Sequence, residues 1–233
     1  MTARYAIYYA PPEGSALWRK ASAWLGRDAA TGEDVARPVI AGLDGLDMDA
    51  LTADPRHYGF HATLKAPFEL AAGKTESELL AAAAEVAAGL TPFEAAIAPA
   101  ALGRFLAFRL QDGEAEMSAL HAASVRGFEP FRAPLGDADL TRRRKANLTP
   151  EQDERLVTWG YPYIFEDFRF HMTLTGAIRD EQVRGQVLTA LQDHFSPESG
   201  PHRFDGVAVF RQTDRQAPFD VLQRFPFRAA VAA

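Results

Sequence analysis

Along this chain, stretches in which apolar positions recur every second residue give way to stretches in which they recur every three or four, and the switches between them mark out elements. "RYAIYYAP" reads as a strand rich in aromatic and β-branched residues, stopped by Pro11 and Pro12, which cannot donate to a sheet ladder. "SALWRKASAWLG" follows as a helix with Ser15 as N-cap and Leu17, Ala21, Trp24 and Leu25 along one face, ended by Gly26. Residues 27–57 are rich in Gly, Asp and Pro and read as loops with one short helix. The extended "FHATLKAPFEL" then leads to "TESELLAAAAEVAAGL", a helix whose Thr75 and Glu78 have the spacing of a capping box, and two strand-like runs follow around "FEAAIAPA" and "RFLAFRLQ".

The phrase "FHATL" returns as "FHMTL", with His61 and His171 separated by 110 residues (171 minus 61). After His171, "FHMTLTGAI" leads to "DEQVRGQVLTALQDHF", a helix opened by acidic residues that suit its positive end. "RFDGVAVFRQ" and "FDVLQRFPF" close the chain as a hairpin. From His61 to Phe93 is 32 residues and from His171 to Phe204 is 33, so the register is kept across the unit. The pattern predicts an α+β fold and one bilobal domain over residues 1–233, with an internal repeat at about 58–112 and 168–228. Each of the two pseudo-symmetric lobes would hold a small antiparallel sheet with helices packed outside, and a cleft would lie between them. The link, residues 114–169, holds helical patterns in "AEMSALHAASVRGFEPF" and "TPEQDERLVTWGY", the second with Thr149 as N-cap and Pro150 at the first helical position.

Composition narrows the chemistry. With 233 residues, 47% hydrophobic and 24% charged, the chain has the make-up of a folded globular protein. It has no cysteine, which excludes disulfides, thiolate metal sites and a cysteine nucleophile and fits a reducing cytoplasm. No leader-like charged and apolar start and no run of 18 apolar residues is present, so a soluble, unexported, cytoplasmic protein with no membrane partner is expected. The net charge of −6 argues against a long nucleic acid as partner, while a small phosphorylated ligand stays compatible. Arg142, Arg143, Arg144 and Lys145 run consecutively and read as a solvated loop, with an anion-contacting lid as the alternative.

In a strand, His61 and Thr63 emerge on one face while Ala62 and Leu64 face the opposite way, His171 and Thr173 do the same, and Ala62 and Met172 are expected to face the core. If the two strands meet at a pseudo-dyad, two imidazoles and two hydroxyls converge. One neutral imidazole can take a proton from an attacking oxygen, the other can give one to a leaving oxygen, and the threonine hydroxyls can hold non-bridging phosphoryl oxygens. Lys65, at i+2 from Thr63, is a further candidate phosphate contact, and Tyr58 and Tyr161 are candidate cleft residues, weighed against packing roles. His57 and His61 have H-x₃-H spacing, but Pro55 and Gly59 argue against a helix there and no acidic residue lies between them; no metal and no cofactor is expected. His121 and His194 fall in helical patterns and His202 in a turn, where surface or capping roles are expected.

The paired "HATL" and "HMTL" resemble the two-histidine (2H) phosphoesterase superfamily. The flanks "YGFHATLKAPF" and "WGYPYIFEDFRFHMTLTG" are similar to an uncharacterised bacterial branch of it whose genes often accompany phosphonate-utilisation genes. The resemblance implies a bilobal fold with a central cleft, His61 and His171 as acid and base in an order it does not fix, and Thr63 and Thr173 as phosphate contacts. The expected activity is a metal-independent phosphodiesterase acting on a small cyclic phosphate or a nucleotide phosphodiester, with a short RNA end also open as partner. The alternatives are a 2',5'-ligase running the displacement backwards and a non-catalytic phosphometabolite sensor; two half-buried strands of no function are the bland reading of the repeat.

Overall fold

The computed structural model describes residues 3–228. Its elements in chain order are β1 (Arg4–Tyr9), α1 (Ala16–Leu25), α2 (Met48–Tyr58), β2 (Ala62–Glu69), α3 (Glu76–Ala88), β3 (Phe93–Leu102), β4 (Phe105–Leu110) and α4 (Glu114–Gly127). They continue with α5 (Asp137–Arg144), α6 (Pro150–Trp159), β5 (Met172–Thr173), α7 (Glu181–His194), β6 (Gly200–Phe204), β7 (Gly206–Gln212) and β8 (Asp220–Pro226). The fold is α+β: one antiparallel sheet of eight strands in the order β6-β3-β4-β5-β2-β1-β7-β8, with helices against it. The two small sheets expected from the repeat are therefore one continuous sheet, and the strands bearing the two His-x-Thr phrases are neighbours in it, with Ala62 opposite Met172. The hairpin β3-β4, which follows β2 in sequence, lies beyond β5, whereas β7 and β8, which follow β5, lie beyond β1. No helix among the described residues is long and apolar enough to cross a membrane.

Period-two burial assigns the two faces. Tyr5, Ile7, Tyr9, Ala62, Leu64, Met172 and Leu174 pack with Leu79 and Ala83 of α3, Met117 and Leu120 of α4, and Val187 and Leu191 of α7. Burying these side chains supplies most of the folding drive, at roughly 25 cal/mol per Å² of apolar area. On the opposite face Ala6, Tyr8, Ala208 and Phe210 form a smaller cluster with Trp18 and Phe219. The caps read from sequence are in place: Ser15 accepts from Trp18 N–H, and Thr75 and Thr149 complete capping boxes with Glu78 and Gln152.

Five local expectations are corrected. Residues up to Tyr58 continue as helix through Pro55, because the carbonyl of Leu51 that Pro55 cannot bond accepts instead from Gly176 N–H at 2.7 Å. The run "RFDGVAVFRQ" is not one strand: β6 pairs with β3 and β7 with β1, at opposite ends of the sheet order. Arg142, Arg143 and Arg144 close helix α5 rather than forming a loop, where their charges suit the negative helix end. His202 lies on β6 rather than in a turn, its Nε2 2.5 Å from the Tyr9 hydroxyl, and His121 is buried at 2% exposure rather than at the surface, stacked on Phe168 at 3.8 Å.

Candidate active site

His61 is set by the turn that precedes β2. Gly59 there has φ +74°, and a Cβ at that position would come within 2.4 Å of the Cβ of Ala29, so the close approach of α2 to the 27–34 loop requires glycine. The Gly59 carbonyl accepts a hydrogen bond from His61 Nδ1 at 2.9 Å, which puts the proton of the neutral ring on Nδ1 and leaves Nε2 as the titrating nitrogen. Thr63 Oγ1 stands 3.3 Å from that Nε2. Tyr8, opposite Thr63 on β1, stacks on the imidazole at 3.8 Å. His171 repeats the arrangement on the neighbouring strand: its Nδ1 donates to the Arg169 carbonyl at 2.7 Å, and Phe105 lies edge-on at 5.6 Å.

Both histidines and both threonines line one cleft of about 630 Å³, a size suited to a small-molecule ligand. Tyr58 and Tyr161, the two tyrosines singled out in the sequence, line it too. Burial holds His61 neutral, lowering its pKa to about 4, with the nearby His171 adding to the effect against the Gly59 hydrogen bond. Burial likewise lowers His171, and the Arg109 guanidinium contributes in the same direction. An unliganded cleft at neutral pH thus presents two uncharged imidazoles.

Lys65 is not in the cleft. β2 bulges between Thr63, opposite Tyr8, and Lys65, opposite Ile7, so one extra residue turns Lys65 to the helix face. There it is 3% exposed, donates to the Val125 carbonyl at 3.0 Å and pairs with Glu129 at 2.7 Å. The i+2 argument from sequence fails because it assumes an unbroken pleat. His57, in the last turn of α2, sits 3.2 Å from Gln212 Nε2 and not with His61 on a helix face. No cluster of three or more metal-ligating side chains occurs among the described residues.

The cleft wall also contains residues that sequence reasoning passed over: Arg4 and Tyr8 of β1, and Arg215 from the β7-β8 turn. A signal existed for the first two, since Arg4, Ala6 and Tyr8 share a face by strand alternation. It meant nothing until β1 was known to neighbour β2. Arg142 and Arg143 of α5 line the cleft as well, whereas Arg144 turns to Asp153 at 2.6 Å.

The family model described as "Protein of unknown function (DUF1045)" matches residues 63–220 of the chain. The chain is 38% identical over 231 residues to a Janthinobacterium sp. (strain Marseille) protein named ribose 1,5-bisphosphate phosphokinase PhnN, a match covering 96% of this chain and 51% of that protein. It is 35% identical over 216 residues to a protein of the same name from Laribacter hongkongensis, covering 93% and 50%. The chain spans about half the length of these curated relatives. Among solved structures it is similar to TT0787 of Thermus thermophilus, with TM-score 0.45 and 16% identity over 99% of this chain and 100% of that one. A phosphoesterase crystal structure matches with TM-score 0.39 and 11% identity over 96% and 98%.

Proposed function

The chain belongs to the DUF1045 family of proteins of unknown function, and from the chemistry of its cleft we propose that it is a metal-independent phosphodiesterase of the two-histidine kind, opening a small cyclic phosphate or cleaving a nucleotide phosphodiester. The observation that supports this most directly is the matched pair: two imidazoles in one cleft, each with Nδ1 bonded to a carbonyl two residues back and each followed at i+2 by a threonine. In the proposed reaction the neutral imidazole takes a proton from water as its oxygen bonds to phosphorus. The protonated imidazole gives a proton to the leaving oxygen as the old P–O bond breaks, and Thr63 and Thr173 hold the non-bridging oxygens. His61, the more strongly held neutral, fits the acceptor role, and His171 the donor role. Tyr58 and Tyr161 would border the substrate. The names of the relatives supply the substrate class we take forward, a phosphorylated ribose.

A phosphokinase reading drawn from the same names is disfavoured by this chain's residues. Its Gly73-Lys74-Thr75 run has Phe68 where a phosphate-binding loop has its first glycine, and the Thr75 hydroxyl is engaged as the cap of α3.

The test is incubation with a panel of ribose and nucleoside cyclic phosphates, with and without EDTA, followed by ³¹P NMR. The expected result is conversion of the cyclic to the monoester resonance, unaffected by EDTA, and a loss of about 10²-fold or more in His61→Ala and in His171→Ala. Binding across the panel with no conversion would identify a sensor instead, and wild-type turnover in either variant would remove the acid-base assignment.

A further inference from the structure

We propose that Arg4 and Arg143 form a second anion subsite in the cleft, one that takes a phosphomonoester carried by the same substrate whose phosphodiester meets the histidines. The inference rests on the phosphodiesterase reading and narrows its substrate to molecules bearing two phosphates.

Charge pairing carries it. Four guanidiniums line the cleft in a chain of net charge −6, and a smaller neighbouring hollow is lined by the same four. Two of them have counter-ions. Arg142 pairs with Asp139 at 2.7 Å, and Arg215 pairs with Asp139 at 3.0 Å and Glu69 at 3.1 Å. Arg4 and Arg143 have no carboxylate partner among the described residues. Arg4 Nε donates to Gln212 Oε1 at 2.7 Å and its guanidinium lies 5.6 Å from the Phe219 ring centre. Arg143 lies 5.0 Å from the Tyr161 ring centre, and its buried Nε has no hydrogen-bond partner. Each is held by an uncharged contact that orients the fork without neutralising it.

The two are also close enough to repel. Arg143 feels the positive charges of Arg142 and Arg4, offset in part by the more distant Asp139, which is already shared by Arg142 and Arg215, and Arg4 feels those of Arg215 and Arg142. Holding guanidiniums without a direct ion-pair partner together in a partly dry wall is unfavourable, and an anion between them relieves it through charge-assisted, bidentate hydrogen bonds. A dianionic phosphomonoester matches two guanidiniums in charge; a carboxylate or the single charge of a phosphodiester matches one. Placement supports a shared substrate. Arg4 and Tyr8 are four residues apart on the cleft face of β1, about 13 Å by strand rise, and Tyr8 stacks on His61. The Arg4 guanidinium lies against Phe219, whose ring is 6.3 Å from that of Tyr8, so the arginine end and the histidine end of the cleft share one wall.

The experiment measures binding separately from turnover, by calorimetry with ribose 5-phosphate and with unphosphorylated ribose as probes. Wild-type protein is expected to bind ribose 5-phosphate and not ribose, with Kd raised about tenfold or more in Arg143→Gln and in Arg4→Gln. Arg143→Lys should recover part of the loss, and His61→Ala should leave binding nearly unchanged. Arg143 is a partly exposed helix residue, so its variants decide the question even if Arg4→Gln, in a central strand, fails to fold. Wild-type affinity in Arg143→Gln, binding that depends on His61 and not on the arginines, or no binding by the wild type would overturn the subsite. Failure of the phosphodiesterase reading has a different signature: ribose 5-phosphate binds in an arginine-dependent way while no cyclic phosphate is turned over.

Discussion

His61 and His171 are given their character by the groups behind them. A carbonyl on each Nδ1 fixes the tautomer, and burial against Tyr8 or beside Phe105 favours the neutral ring. If His61 accepts the proton and His171 donates it, the two differ in their response to the leaving group. With a 4-nitrophenyl phosphodiester, whose leaving group needs no proton, His171→Ala should retain most activity while His61→Ala loses about 10²-fold or more; equal losses would sink the assignment of roles. The pH profile follows from the same burial. The acid limb of kcat/KM reports the free base and the alkaline limb the free acid, as macroscopic values of the pair. Both lie below the ordinary histidine pKa of 6.5, that of His61 at about 4, so kcat/KM is expected to peak on the acid side of pH 6.5. A peak above pH 7.5 would contradict it. An anionic substrate favours imidazolium, so the optimum of kcat should lie higher than that of kcat/KM.

The elements that matter most are two adjacent strands, β2 and β5, and the irregularities that shape them. β5 is only Met172–Thr173, long enough to pair Met172 with Ala62 on one side and Phe108 on the other and so to hold His171 and Thr173 in register. The bulge in β2 breaks the alternation after Thr63, so that Lys65 is committed to the helix layer while Ala66 and Pro67 of the same strand still line the cleft. Lys65 therefore packs in the helix layer with Glu129 and does not line the cleft. Lys65→Ala should cost about 2 kcal/mol in urea unfolding and leave KM unchanged; the cost is below that of a fully stranded buried ion because Glu129 keeps Arg132 at 2.6 Å. A raised KM with unchanged stability would return Lys65 to the cleft. Sequence could not reveal this, since Leu64 and Lys65 alternate normally in the letters and the extra residue shows only against the register of β1.

At the scale of the whole molecule, three histidines whose pKa is lowered by desolvation to about 4, His61, His121 and His202, link folding to pH. Each is neutral when folded and takes up its proton at about pH 6.5 when unfolded, so stability is full above 6.5 and falls as pH drops toward 4. His121, 2% exposed, contributes up to about 3 kcal/mol of this, and the two partly exposed rings less. The urea midpoint should decline between pH 6.5 and 5, above the range where carboxylates titrate, and the decline should shrink in His121→Phe. A flat midpoint across that interval would refute the burial of these rings as neutral species. One continuous sheet is what brings His61 and His202 into one unit, because β1 contacts both, with Tyr8 under His61 and Tyr9 against His202.

Letters alone sufficed for the α+β class, the helix caps at Ser15, Thr75 and Thr149, and the two His-x-Thr pairs with their core-facing neighbours. All of these depend on contacts within a few residues, where periodicity and capping chemistry are written directly in the chain. Tertiary structure alone decided that the two His-x-Thr strands share one sheet, that Pro55 is tolerated inside α2, that Lys65 leaves the cleft, and that Arg4, Arg143 and Arg215 enter it. Each of those turns on a partner distant in sequence: Gly176 for the carbonyl that Pro55 cannot bond, Ile7 for the bulge at Lys65, and Tyr161 for Arg143. Period and propensity say which face a side chain takes within its own element; what stands opposite that face is settled by strand order and register, which no local pattern encodes.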